Sequence, residues 1–108
     1  MSLTRDVLYQ YLNPVFFETG AGYGGGVTLA RECGFKRIIT VDIYQPSIHA
    51  AQGQNTEAIL GDSRVVMESL LPTIKEPVTF WLDAHAHYPN QPPETTVLGE
   101  LEIIFNWW

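Results

Sequence analysis

The chain has 108 residues, 45% of them apolar and 17% charged, which suits one small domain with one core and is too apolar for a disordered segment. The net charge is −6 with only six Lys and Arg, which speaks against a general nucleic-acid binder, because phosphate contacts need a surplus of cations. No stretch approaches the ~20 apolar residues of a membrane helix, the N-terminus does not read as a signal peptide, and the lone Cys33 allows no internal disulfide. A reducing, cytoplasmic setting is the expectation.

Strand and helix patterns alternate along the whole chain, which predicts an α/β fold with a parallel sheet. Thr4 suits the N-cap of a first helix carrying Val7, Leu8, Tyr11 and Leu12, with Pro14 ending it. Val15-Phe16-Phe17 reads as a short buried strand running into a glycine-rich turn. A second helix is expected from about Gly25 to Cys33, stopped by Gly34. Residues 37–42 form the second strand, and a helix starting at Pro46 runs to about Gln52. Residues 57–60 make the third strand. Ser63 can cap a helix bearing Val65, Val66, Leu70 and Leu71. Residues 77–83 are the fourth strand, 84–95 a proline-rich loop, and a last helix begins near Thr96. One domain spans residues 1–108, with four strands and about five helices.

In a sheet of this kind ligands bind at the carboxyl ends of the strands. Glu18, Gly20, Asp42, Asp62, Asp83 and His85 all fall there. A strand that turns at once into a helix needs glycine, and Gly20 and Gly22 let a ligand approach the backbone beside the helix N-terminus. Gly20-x-Gly22-x-x-Gly25 also satisfies a dinucleotide fingerprint, so the turn alone serves NAD and S-adenosylmethionine equally. Asp42, twenty residues after Gly22, can accept both hydroxyls of a ribose in either cofactor. Glu18 can reach an ammonium group, and Asp62 in Gly61-Asp62-Ser63 can accept from an adenine amino group; both favour S-adenosylmethionine. Blander roles exist for each acid: an ion pair for Glu18, a helix cap for Asp42, a turn for Asp62.

The ordered set Phe17-Glu18-Thr19-Gly20-Ala21-Gly22-Tyr23-Gly24, Val41-Asp42, Gly61-Asp62-Ser63 and Trp81-Leu82-Asp83-Ala84-His85 resembles the motifs of class I S-adenosylmethionine-dependent methyltransferases. The likeness covers about residues 15–104 and is greatest to the small-molecule O-methyltransferase-like branch. It implies a Rossmann-like three-layer sandwich and cofactor contacts from Glu18, Gly20, Gly22, Asp42, Asp62 and the Ser63 backbone. It also implies methyl transfer to a small-molecule acceptor, at oxygen, with Asp83 at the acceptor. His85 could act there as a general base. Asp83-x-His85-x-His87 has the alternate spacing that could hold a divalent metal, but no further ligands are identifiable, so no metal is assigned.

A whole class I methyltransferase has seven strands, so the chain reads as truncated after the fourth. A cofactor-binding fragment without turnover, and an NAD-binding domain, are the alternatives. An uncovered fourth strand would leave an open edge and exposed apolar surface, so Trp81, Phe105, Trp107 and Trp108 are expected to support a homodimer through that edge and the last helix.

Overall fold

The computed structural model describes residues 3–84 and 94–108. Four strands, β1 (Val15–Thr19), β2 (Arg37–Asp42), β3 (Thr56–Leu60) and β4 (Val78–Leu82), form one sheet in the order β3-β2-β1-β4. Every pair is parallel. The helices are α1 (Arg5–Gln10), α2 (Gly25–Cys33), α3 (Gln45–Ala51), α4 (Ser63–Leu70) and α5 (Glu94–Trp107), with a 3-10 turn at Leu71–Thr73. The architecture is Rossmann-like, as the alternating pattern predicts.

The pleat of β1 sorts the core into two layers. Phe16 faces a cluster with Leu8, Val27, Ala30, Phe35 and Ala51 of α1, α2 and α3 and the turns beside them. Val15 and Phe17 face the opposite cluster, with Met67, Leu71 and Ile104 of α4, the 3-10 turn and α5. Phe16 packs on Phe35 and Phe17 on Phe80, with ring centroids 5.2 and 5.7 Å apart. Both neighbours of β1 are strands, so all five of its residues are buried, including the polar Glu18 and Thr19.

Several local expectations hold. Thr4 caps α1 by accepting from the Val7 N–H at 3.3 Å. Gly34 closes α2 in the left-handed conformation, φ 92°. Others need correction. α1 stops at Gln10, before Tyr11 and Leu12, which are therefore exposed instead of core. The cap of α4 is Asp62, whose Oδ1 accepts from the Arg64 N–H at 2.9 Å, and not Ser63, the first helical residue. On α4 the buried positions are Ser63 and Met67, while Val65 is exposed, because the stripe facing β2 runs through 63 and 67. α5 begins at Glu94, two residues ahead of the expected start. No helix among the described residues is long and apolar enough to cross a membrane.

Candidate functional site

The hydrogen-bond ladder runs one step past the strands. Gly20 N–H donates to Val41 O at 2.8 Å, Gly61 N–H to Asp42 O at 2.9 Å, and Asp83 N–H to Thr19 O at 2.8 Å. These bonds hold the four strand ends level, so the residue types that follow each strand meet at one edge of the sheet. A cleft of about 250 Å³ opens there, lined by Gly20, Gly22, Asp42, Asp62, Ser63 and Asp83 among others. A wider depression of about 630 Å³ lies on the other side of the glycine turn, against Glu18, residues 21–26, Trp81 and Asp83. The two share Gly20, Gly22 and Asp83. Seven of the eight expected site residues are thus brought together. His85, with His87, lies outside the described residues.

Asp42 is held by backbone on both sides. Its Oδ2 accepts from Ala21 N–H at 2.8 Å and its Oδ1 from Tyr44 N–H at 2.9 Å. It therefore ties the glycine turn to the end of β2, and its cap role is limited to the N-cap residue Tyr44 of α3. Each carboxylate oxygen accepts more than one hydrogen bond, so this anchoring leaves acceptor capacity toward the cleft. Asp62 takes the helix-capping role and also lies 3.4 Å from the Arg64 guanidinium. Ser63 turns its hydroxyl away from solvent to donate to Glu100.

Glu18 is 2% exposed and has no cationic partner among the described residues. Its Oε1 accepts from the Thr40 hydroxyl at 2.5 Å, across the register pair Glu18–Thr40. Burial pushes its pKa up to about 7, with the negative charges of Asp83 and Asp42 adding to the rise and the Thr40 hydroxyl opposing it. α2 comes so close that a methyl group on Gly26 would overlap Oε2 of Glu18. At Gly20 a side chain would overlap the Asp83 carbonyl oxygen, and φ is +86°.

Three polar residues of this edge were not anticipated from the sequence: Thr19, Thr40 and Glu100. Thr19 and Thr40 look like ordinary β-branched strand residues. Glu100 carries a legible signal, since Thr96, Glu100 and Ile104 are spaced by four and form the buried stripe of α5. Among the described residues no three metal-ligating side chains gather. No Lys or Arg is among the described residues that line either depression.

Compared with known proteins, the chain matches no family model, no curated protein and no solved structure.

Two outcomes follow from this geometry. Gly20→Ala should lower stability by at least about 2 kcal/mol in urea unfolding, since it combines a left-handed φ with a backbone overlap. Glu18→Gln should raise it. Below pH 4.5 the carboxyl is protonated in folded and unfolded chains alike, and between 4.5 and 7 only the unfolded chain ionises, so wild-type stability falls as pH rises through that window. The gain for the glutamine variant should approach about 3 kcal/mol at pH 8 and vanish toward pH 4.5. A gain independent of pH would show that Glu18 is not the titrating group.

Proposed function

We propose that this chain binds S-adenosylmethionine across the glycine turn and transfers its methyl group to an oxygen of a small-molecule acceptor. The carboxylate set carries the proposal. Glu18, Asp42, Asp62 and Asp83 surround the turn, and no described lining residue offers Lys or Arg. A pyrophosphate in this place would meet the carboxylates of Asp42 and Asp83, with Arg64 offsetting only Asp62, which weighs against NAD. A ligand with a sulfonium and an ammonium meets favourable charge, and its ribose hydroxyls and adenine amino group are donors that carboxylates accept.

The donor set assigns the roles. Asp42, already oriented by the Ala21 and Tyr44 N–H groups, accepts from the ribose hydroxyls. Asp62, at the wall closed by Ser63, accepts from the adenine amino group. Glu18 faces the second depression and pairs with the ammonium, whose positive charge draws its pKa back down against the loss of hydration on burial. Gly20 and Gly22 keep the turn free of side chains between these two parts. The cofactor supplies an electrophilic methyl group; catalysis by the protein is then largely positioning. Asp83 stands at the boundary of the two depressions, where its carboxylate can accept the hydrogen of an acceptor hydroxyl and orient the oxygen. His85 is assigned to the same acceptor as a base.

A homodimer belongs to the same proposal. β4 is an edge strand, and a groove of about 570 Å³ lined by Tyr11, Val78, Phe80 and Trp81 runs beside it. Phe105 and Trp108 are exposed, at 71% and 91%. Trp107 and Trp81 already have partners within the chain: Trp107 meets Phe80 edge-on at 6.1 Å, and Trp81 packs against the α1–α3 cluster.

Titration calorimetry with S-adenosylhomocysteine and NAD, run side by side, tests the ligand. Heat is expected from S-adenosylhomocysteine and none from NAD, and the converse result would overturn the assignment. Asp42→Asn should weaken binding by about 1–3 kcal/mol, the loss expected for a charged acceptor; an unchanged affinity would move the ribose elsewhere. Sedimentation at micromolar concentration should give a species of twice the chain mass, and a clean monomer would remove the dimer.

A further inference from the structure

Two buried carboxylates flank the end of β1, one on each face of the sheet. Glu18 is the first. The second is Glu100 of α5, whose side chain is fully buried. Its Oε1 accepts from the Thr19 hydroxyl at 3.1 Å, and its Oε2 accepts from the Ser63 hydroxyl. Each of these partners leads directly to one wall of the cleft. Thr19 is the residue to which Asp83 is fastened: the Asp83 N–H donates to Thr19 O at 2.8 Å and lies 3.2 Å from Thr19 Oγ1. Ser63 follows Asp62 at the first turn of α4 and lines the cleft, as does Thr96, one turn before Glu100 on α5.

We propose that Glu100 is a positioning residue, which locks α5 to Thr19 and Ser63 and so holds the Asp83 wall and the Asp62 wall at a fixed separation. A carboxylate is the side chain suited to this. It has acceptor capacity at both oxygens and receives two hydroxyl donors from two different elements. A glutamine has one acceptor oxygen and a donor NH₂, so it can satisfy only one hydroxyl without forcing the other to reorient. A leucine would fill the volume and leave both hydroxyls without an acceptor. The fixed walls do not depend on which ligand binds; the consequence for affinity rests on the S-adenosylmethionine assignment.

Amide hydrogen exchange of the ligand-free protein separates wall fixation from general stability. Glu100→Gln should speed exchange at the Asp83 N–H and at the Arg64 N–H, the latter held by Asp62, by about tenfold or more. The Gly20 and Gly61 N–H groups, which bond to β2, should change little. Two single-arm variants keep the test open if that protein does not fold. Thr19→Val, which keeps the carbonyl bond to the Asp83 N–H and removes the hydroxyl, should speed exchange at Asp83 and leave Arg64 protected; Ser63→Ala should do the reverse. Unchanged exchange at both walls, or a uniform increase at all four amides, would overturn the proposal. In calorimetry, Glu100→Gln should weaken S-adenosylhomocysteine binding by about tenfold, equivalent to about 1.4 kcal/mol. If the parent chain fails to bind S-adenosylhomocysteine, the cofactor assignment falls and the exchange result alone still decides Glu100. If the parent binds and the variant binds equally well, Glu100 does not position the cleft.

Discussion

Three backbone hydrogen bonds beyond the ends of the strands govern this molecule. Gly20 to Val41, Gly61 to Asp42 and Asp83 to Thr19 carry the parallel ladder one residue further than the strands themselves. Parallel strands end with the same polarity, so extending the ladder brings their following residues level. Four acidic side chains from four distant stretches of sequence thereby share one edge. Without the extension each turn would leave the sheet at its own height, and Asp42, Asp62 and Asp83 would not face a common space. Glycine at 20 is what permits the first of these bonds, because the Asp83 carbonyl occupies the place a side chain would need.

That concentration of negative charge sets the energetics of the site. Glu18 is buried with the Thr40 hydroxyl as its hydrogen-bond partner among the described residues, and it feels Asp42 and Asp83 nearby. Glu100 is buried on the opposite face; burial also raises its pKa, opposed by the hydroxyls of Ser63 and Thr19 and by Arg64. Ionising either group costs folding free energy, and the cost is met by packing elsewhere in the two apolar layers. Such an arrangement costs stability. The alternation of β1 places the two acids on different faces, where the sheet itself separates them. Phe16 and Glu18 face α2, while Val15, Phe17 and Thr19 face α4 and α5.

Much of this was legible from residues alone, for identifiable reasons. Apolar runs that break at Gly or Asp locate the ends of β1, β2 and β4, and those ends line the cleft. Gly25 to Cys33 as a helix follows from glycine on both flanks and an apolar stripe between them, and α2 has those bounds. The failures lie where a tertiary contact overrides a local preference. Ser63 is as good a cap as Asp62 in isolation; Glu100, 37 positions away, recruits its hydroxyl and leaves the capping to Asp62. Val65 is more apolar than Ser63, yet Ser63 is buried and Val65 is not, because the phase of α4 is set by Met67 against the sheet. Thr19 and Thr40 carry no local mark of their roles, which arise for Thr40 through its cross-strand register with Glu18 and for Thr19 through Glu100 of α5.

The two sides of the cleft are also assembled at different ranges along the chain. The contact that brings Asp42 to the glycine turn spans 21 residues, while the one that fastens Asp83 to Thr19 spans 64. Chain-closure entropy grows with the logarithm of loop length, so the second contact costs about 1 kcal/mol more than the first. Glu100 lies further still, 81 positions from Thr19. The Asp42 side of the edge is thus a short-range product of β1, α2 and β2, within one contiguous stretch of the polypeptide. The Asp83 side is a long-range product, and its geometry depends on the chain having returned to its own beginning.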